Sequence, residues 1–173
     1  MTPKAEREGM VALMEDAFGP AKDRRFSVTL RSSSEAVRQT LSLITAHFAG
    51  RVSAIELGTL EMVLAETLNN VVEHAMPEDE HGQVKLRISP RTNGLACTVL
   101  DSGSPMPGGE PPKENLPGIG SVIDDLPEGG FGWSLIRMHV QGLDYQRKDG
   151  CNVLRFVLPW EPVVVDDSNS LAF

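Results

Sequence analysis

The amino-acid sequence predicts an α+β fold, a two-layer sandwich with a mixed, mostly antiparallel sheet and helices on one face. Two observations carry this prediction. Apolar residues alternate in pairs of short segments joined by tight turns, which is typical of antiparallel hairpins. Two long amphipathic segments stand between the first strand and the first hairpin, so the helices are segregated from most of the strands. The 173 residues are enough for one buried core.

The chain begins with a short predicted helix over about residues 6–18, which Gly19-Pro20 ends. Residues 25–30 (RFSVTL) alternate apolar and polar positions and predict the first strand. Beyond the last predicted strand the sequence has no clear period. We therefore expect three parts: an N-terminal helical extension over residues 1–24, a folded domain over 25–159 and a C-terminal tail over 160–173.

Two long helices follow the first strand, and each begins with a predicted capping box. Ser32 with Glu35 begins the first helix, and Ser53 with Glu56 begins the second. Each helix carries an apolar stripe at helical spacing, and the second is expected to run to about Met76. The stripe residues are Val37, Leu41, Ile44 and Phe48 in the first helix, and Leu60, Leu64, Leu68, Val71 and Ala75 in the second.

A hairpin comes next, in which residues 84–88 and 95–99 alternate on either side of an Asn-Gly turn. Residues 102–130 then change character. They contain half of the twelve prolines and many glycines, and they show no apolar period. A loop of this length inside a compact domain is usually functional or disordered. We expect it to be mobile from about residue 104 to 128 when no ligand is bound and to become ordered when one binds.

A last helix is predicted to begin near Gly132 and to end at Gly142, because glycine is favoured just after a helix. Two strands, over about residues 143–147 and 152–158, complete the fold and are joined by an Asp-Gly turn. The predicted order is therefore helix, strand, two helices, hairpin, long loop, helix and a final hairpin.

Composition excludes several classes of protein. The net charge of −8 argues against direct binding of nucleic acid, which needs a basic patch. No apolar run approaches the roughly 18 residues that a membrane span needs, and the polar N-terminus does not resemble a signal peptide. Cys97 and Cys151 lie in strand-like settings and are expected to be buried thiols. We expect a cytoplasmic protein.

The second long helix carries a polar cluster where a helix would not favour it, in the stretch AETLNNVVEHA. Glu66 and Asn70 are four residues apart and lie on one face, with Glu73 on the same side. An amide oxygen is a suitable ligand for Mg²⁺, and a carboxylate one turn away can accept a proton. The alternative is an ordinary solvated helix face.

Two further segments carry candidate binding chemistry. Asp101 ends a predicted strand, where a carboxylate can accept from the amino group of adenine, and Gly103 allows the backbone to approach a flat base. The stretch GGFG at 129–132 precedes a helix, where free amides and the helix N-terminus favour phosphate. Taken alone, each segment can equally be a turn.

Together and in this order, the three motifs resemble a known family. EtlNN-x-x-EHA at 66–75, DSGSP at 101–105 and GGFG at 129–132 are similar to the conserved boxes of the GHKL, or histidine-kinase-like, ATPase superfamily. The similarity is greatest to the bacterial anti-sigma factor serine/threonine kinases and covers about residues 25–158. The resemblance implies the Bergerat type of α/β sandwich, and the proline-rich loop stands where that family has its ATP lid.

The resemblance also implies ATP and Mg²⁺ as cofactors and a role for each motif residue. His74 is then structural or lies behind the site, and Asn69 and Glu73 are exposed or accessory. The implied roles are Glu66 as general base, Asn70 as Mg²⁺ ligand, Asp101 as the adenine-reading carboxylate, Gly103 beneath the ring, and Gly130 and Gly132 as glycines that let backbone amides reach the phosphates.

This sequence departs from the family pattern at two places. Pro127-Glu128 stand where these kinases often carry an arginine, and Lys113 is the nearest cationic substitute in the loop. Cys151 and Asn152 stand where the family tends to place a threonine on the last strand. The departures favour ATP binding over catalysis as the better supported expectation.

Two functions follow from the resemblance, and a third possibility stands apart from it. The first is a protein kinase that phosphorylates an anti-sigma factor antagonist of the STAS type in a partner-switching pathway. The second is a nucleotide-gated module that binds a sigma factor or an antagonist and transfers nothing. The third is a domain that binds no nucleotide, which requires three ordered motifs to be coincidence. A homodimer is compatible with the resemblance.

Overall fold

The computed structural model describes residues 25–76, 82–112 and 131–160. This part of the chain forms a five-stranded sheet and three α-helices. The elements in chain order are β1 (Phe26–Arg31), α1 (Ser34–Phe48), α2 (Ala54–Asn70), a π-helical turn (Val71–Ala75), β2 (Gln83–Arg91), β3 (Gly94–Asp101), a 3-10 turn (Pro107–Gly109), α3 (Phe131–His139), β4 (Gln141–Lys148) and β5 (Cys151–Pro159).

The strands are ordered β1-β2-β3-β5-β4, so β3 lies at the centre and β1 and β4 form the edges. All four strand pairings are antiparallel. The predicted α+β class is confirmed, and the sheet is more regular than the mixed arrangement that the sequence allowed. The register between β3 and β5 places Asp101 directly opposite Asn152.

The core lies between one face of the sheet and the helices. Strand β2 alternates exposed and buried positions, with Val84, Leu86 and Ile88 fully buried. Helix α2 is central in the helical layer, because α1 and α3 both pack against it. Its buried residues include Leu60 and Leu64, which were both predicted to face the core. Burial of this apolar surface is the main favourable term in folding.

The capping box predicted for α2 is confirmed. Ser53 Oγ accepts from the Glu56 amide, and the Glu56 carboxylate accepts from the Ser53 amide at 2.8 Å. The prediction for α1 was wrong by one residue. Ser33, not Ser32, is the N-cap and accepts from the Ala36 amide. The Glu35 carboxylate is turned to side chains one turn further along the helix instead of capping it.

The second long helix does not keep α-helical geometry to its predicted end. It is α-helical to Asn70 and then widens into the π-helical turn, which closes with a hydrogen bond from the Met76 amide to the Val71 carbonyl at 3.0 Å. Such wide turns are rare, occur mostly as single turns within helices and are frequent at functional sites. The side chain of Met76 is buried, so the end of the helix is held against the core.

Three residues with positive φ mark a turn and two close or irregular positions of the sheet. Helix α3 ends at His139, and Gly142 does not cap it: Gly142 lies in β4 with φ of 60°, where the pairing register shifts. Gly94 begins β3 with φ of 149°, and a side chain there would collide with the Leu158 carbonyl on β5. The predicted turn at Asp149 is confirmed, since Asp149 has φ of 51° as tight hairpin turns require.

The two cysteines lie in different environments. Cys97 is buried in the core, and this burial raises the pKa of its thiol to about 12. Cys151 is exposed at the start of β5, so the expectation that both thiols are buried was wrong for Cys151. Inward and outward positions alternate along a strand, and Cys151 falls on the outward face.

Several expectations fall outside the described residues. These are the N-terminal helix, the C-terminal tail and the part of the long loop over residues 113–130, which includes Lys113, Glu128 and Gly130. Within the ranges that are described, no helix is both long and apolar enough to span a bilayer.

We predict that Ser53→Ala lowers the free energy of unfolding by about 1 kcal/mol, because it removes the N-cap of α2. Ser42→Ala is the matched control: Ser42 is exposed within α1 and bonds only to the carbonyl one turn before it among the described residues. Urea denaturation of both variants measures the difference. An equal effect of the two substitutions would contradict the capping assignment.

Candidate functional site

Helix α2 presents Glu66 and Asn70 to the first turn of α3. The two residues are one turn apart on α2, and both side chains are half-buried. A methyl group built on Gly132 would lie 2.5 Å from Glu66 Oε2 and 4.0 Å from Asn70 Nδ2. The structure thus brings together three of the predicted site residues, and it explains why the second residue of α3 is glycine: a side chain would displace the Glu66 carboxylate.

The Asn70 side chain is incompletely satisfied. Its Nδ2 atom is buried and has no hydrogen-bond partner among the described residues. An unpaired buried polar group costs about 1–3 kcal/mol, so this arrangement is not one that packing alone would favour. The Asn70 NH₂ group is therefore a donor for which the described residues supply no acceptor.

The donor set around Asn70 is compatible with Mg²⁺ and a phosphate ligand. No group of three or more acidic, histidine or cysteine side chains suited to a metal occurs in residues 25–76, 82–112 and 131–160. Mg²⁺ usually binds one or two protein oxygens and takes its other ligands from water and phosphates. The Asn70 side chain lies beside the first turn of α3, and its amide group has one oxygen that can serve as such a ligand.

The other polar residues of the helix end are placed differently. Glu73 and His74 lie in the π-helical turn and are exposed, whereas Asn69 is half-buried. Glu73 was expected on the same side as Glu66, and His74 was expected to be structural or to lie behind the site. The widening of the helix after Asn70 changes the angular spacing, so positions extrapolated from an ideal α-helix no longer apply beyond it.

Asp101 ends the central strand and is the most deeply buried carboxylate of the described residues, with 7% of its surface exposed. Its Oδ1 atom accepts hydrogen bonds from the Gly103 amide at 2.9 Å and from Asn152 Nδ2 at 2.7 Å. Oδ2 accepts none from the described residues. The carboxylate is thus held by one oxygen and leaves the other available.

Gly103 is required by a backbone contact. A side chain on it would collide with the carbonyl of Ala75, which also accepts a hydrogen bond from the Ser104 amide at 2.8 Å. The sequence interpretation placed Gly103 beneath a bound base, and the contact that the structure gives is with the end of the π-helical turn. This contact joins the Asp101 end of the sheet to the helix that carries Glu66 and Asn70.

Asn152 is the residue that sequence reasoning missed, since it appeared only as a departure from a family pattern. It is 4% exposed and donates to both Asp101 and the Ser104 carbonyl, the latter at 2.9 Å. A signal was present: Leu154, Phe156 and Leu158 are the inward positions of this strand, and counting back by two reaches Asn152. A polar residue at an inward position needs a partner.

The first part of the long loop is anchored to the domain. The Met106 amide donates to Tyr145 Oη at 2.9 Å. Arg137 on α3 donates to the carbonyls of Pro111 and Pro112 at 2.7 and 2.9 Å, and Pro111 is buried. The loop is therefore bonded to the rest of the domain at these positions, residues 113–130 lie outside the described part, and the expected mobility stays a prediction.

Burial raises the pKa of the Asp101 carboxyl from its ordinary value of 3.8. Hydrogen bonds from Asn152 and the Gly103 amide and the charge of Arg147 oppose this shift without cancelling it. Burial disfavours the ionised form of Asp101, because the charge is partly removed from water. A hydrogen-bond donor that reaches Oδ2 would therefore stabilise the ionised carboxylate.

Comparison with known proteins agrees with this architecture. Residues 30–158, about three-quarters of the chain, match the family model of the histidine kinase-like ATPase domain. The chain belongs to this family. The matched residues include Glu66, Asn70, Asp101 and Gly132. Because the family is one of ATPases, ATP is the first ligand to test.

Three relatives illustrate the range of this ATPase family. The chain is 30% identical over 96 residues to the serine/threonine-protein kinase BtrW of Bordetella bronchiseptica, covering 56% of this chain and 66% of that protein. It is 28% identical over 118 residues to the serine-protein kinase RsbW of Bacillus subtilis, covering 68% and 72%. It is 31% identical over 111 residues to the C4-dicarboxylate transport sensor protein DctB of Rhizobium meliloti, covering 57% of this chain but only 17% of that protein.

We predict that Asp101→Asn stabilises the unliganded protein at neutral pH. Asparagine keeps an oxygen for the Gly103 amide and Asn152 but carries no buried charge. Because the folded-state pKa of Asp101 is raised, the wild-type protein loses stability as pH rises from 3.8 through that pKa. The advantage of the variant should therefore be present at pH 7 and disappear on acidification.

Urea denaturation of both proteins between pH 4 and pH 8 measures this difference. A stability difference that stays constant, or that grows as the pH falls, would contradict the assignment of Asp101 as a buried carboxylate with a raised pKa.

Proposed function

We propose that the protein binds ATP with Mg²⁺ and acts as a protein serine/threonine kinase. The observation that carries the proposal is the meeting of Glu66 and Asn70 with the first turn of α3 at Gly132. It combines a carboxylate, an amide with spare hydrogen-bonding capacity and a helix N-terminus in one place. Membership of the histidine kinase-like ATPase family and the names of two relatives as serine kinases support it.

At the base end of the proposed site, Asp101 would receive the purine. Its Oδ2 atom has no partner among the described residues and lies at the end of β3. An acceptor that is buried and partly desolvated favours a donor such as the 6-amino group of adenine. Gly103 would contribute by letting the backbone of the following segment lie close to the helix end, which shapes this side of the site.

At the phosphate end, Asn70 would hold Mg²⁺ through its amide oxygen, and the amides at the start of α3 would face the phosphates. Mg²⁺, when bound, neutralises charge on the phosphates and orients them. Gly132 allows this turn of α3 to approach α2 closely. Gly130 lies outside the described residues, and its proposed part in binding phosphate rests on the sequence motif alone.

Glu66 would act as the general base. A substrate serine Oγ would attack the γ-phosphorus, the bond from that phosphorus to the bridging oxygen would break, and ADP would leave. The Glu66 carboxylate would take the proton of the hydroxyl. Glu66 makes no side-chain hydrogen bond among the described residues, so its oxygens are available for this role. Phosphoryl transfer depends mostly on positioning and charge, which matches so small a set of residues.

For the substrate we propose an anti-sigma factor antagonist of the STAS type, with a sigma factor as the alternate partner. This follows the original resemblance and the two kinases named among the relatives. A second candidate is a nucleotide-gated binding module without transfer. It is favoured by Glu128, a carboxylate where these kinases often carry an arginine, since like charge weakens contact with the γ-phosphate.

We predict that Glu66→Gln lowers phosphate transfer by roughly 10²–10⁴-fold, the usual contribution of a general base, while ATP affinity is kept. Glutamine preserves size but accepts no proton. Glu61→Gln on the exposed face of the same helix is the matched control. Transfer from labelled ATP to a candidate antagonist, with calorimetry for binding, measures both effects. Normal transfer by Glu66→Gln would eliminate the base, and transfer by neither wild type nor variant would favour the binding module.

We predict that Asn70→Ala weakens Mg²⁺-dependent ATP binding roughly tenfold, or about 1.4 kcal/mol, without lowering the stability of the free protein. Alanine removes a buried amide nitrogen that has no described partner, and it favours helix. Asn69→Ala is the neighbouring control. Thermal shift with ATP, in Mg²⁺ and in a chelator, separates the effects. The assignment fails if the loss of affinity is the same in both conditions.

A further inference from the structure

Side chains from β4 and β5 form a hydrogen-bond network behind Asp101. We propose that Arg147, Tyr145 and Asn152 are positioning residues that fix the direction of the side-chain hydrogen bond reaching Asp101. They would thereby present Oδ2 as an acceptor, so that the site binds 6-amino purines more tightly than 6-oxo purines. This inference rests on the proposed ATP binding and adds to it a source of base selectivity that lies outside the recognised motifs.

The direction of the network begins at Arg147, whose guanidinium can only donate. Its Nη1 atom donates to Asn152 Oδ1 at 2.6 Å and to the Gly103 carbonyl at 2.9 Å. The guanidinium carries a permanent positive charge, so these bonds keep one direction at every accessible pH. The atom of Asn152 that faces Arg147 must therefore be its oxygen.

Tyr145 supplies the second constraint. Its hydroxyl oxygen accepts from the Met106 amide at 2.9 Å, and the hydroxyl then donates to Asn152 Oδ1 at 2.7 Å. A backbone amide is also a donor that cannot reverse. Because Met106 occupies an acceptor position of the hydroxyl, its proton is directed towards Asn152.

Asn152 transmits this direction to Asp101. With two donors on its oxygen, its Nδ2 atom must face the other way, where it donates to Asp101 Oδ1 and to the Ser104 carbonyl at 2.7 and 2.9 Å. Turning the amide over would place its NH₂ group against the Arg147 and Tyr145 donors and leave the acceptors unpaired. In a group that is 4% exposed, water cannot compensate for such a mismatch.

As a result, the two oxygens of Asp101 have different hydrogen-bond partners. Oδ1 accepts two donors, from Asn152 and from the Gly103 amide, and is satisfied. Oδ2 has no described partner and is left to the ligand as an acceptor. The 6-amino group of adenine donates to it, whereas the 6-oxo group of hypoxanthine or guanine would meet it with a second acceptor. A site built around a hydrogen bond discriminates strongly against an analogue that cannot form it.

The proposal is tested by the affinities of ATP and inosine triphosphate, measured by calorimetry with Mg²⁺. Inosine triphosphate has an oxo group at purine position 6 and a proton on N1, where ATP has an amino group and an N1 without a proton. In the double variant Tyr145→Phe/Arg147→Met, Asn152 loses both donors and its amide is free to turn. ATP affinity should fall about tenfold, a typical effect of a lost buried hydrogen bond, and inosine triphosphate affinity should change much less. The ratio of the two affinities should therefore also fall about tenfold.

Two further variants sharpen the test. Gln146→Ala changes the exposed residue between Tyr145 and Arg147 and should leave the ratio unchanged. Tyr145→Phe/Arg147→Lys restores a donor-only cation and should recover at least part of the selectivity. Thermal midpoints of all variants show whether the fold is intact.

Each outcome decides between the claims. If wild type binds ATP selectively and the double variant keeps the same ratio, the network has no part in selectivity and the inference is wrong, while the proposed function stands. An equal loss of both nucleotides likewise overturns it, because a merely structural role would weaken both. Wild-type protein that binds neither nucleotide overturns the proposed function and this inference together.

Discussion

The site depends on one backbone contact between the end of a helix and the end of a strand. The Ala75 carbonyl accepts from the Ser104 amide, and Gly103 lies against the same carbonyl so closely that no side chain fits. Asp101, at the end of β3, and Asn70, at the end of α2, are thereby held in one arrangement. Core packing places the helical layer on the sheet, but this contact sets where its polar end meets the strand end.

The π-helical turn explains how two asparagines are tolerated in a long helix. Asn69 and Asn70 stand at the last two positions of α2, where regular geometry ends. The low helix propensity of asparagine costs least at such a boundary, because fewer intrahelical bonds depend on it. The wider turn that follows also carries the chain to Ala75 and hence to the contact with Gly103. The local departure from helical geometry and the polar cluster are therefore parts of one arrangement.

Much of this architecture is predictable from sequence, because it depends on local patterns. The alternating strands, the capping box at Ser53 and the shared face of Glu66 and Asn70 follow from spacing of two or four residues. The exact start of α1 does not, since adjacent serines compete for the cap and only the backbone decides. Glycine was also ambiguous: the sequence placed Gly142 at the end of a helix, but it lies in β4 where the pairing register shifts. The partners of Asn152 were hidden for a different reason, because Asp101 is 51 residues away and only strand register brings them together.

The position of β4 at the edge of the sheet affects the stability of the hydrogen bonds that Tyr145 and Arg147 make to Asn152. Within the described residues β4 pairs on one side only, with β5, so it is an edge strand and has one ladder of backbone hydrogen bonds where a central strand has two. Tyr145 and Arg147 are both on this strand, and both are released whenever it frays. Under the proposed function, a purine that needs an oriented Asp101 binds only molecules in which β4 is docked. Ligand binding would then slow amide hydrogen exchange along a strand that the ligand need not touch.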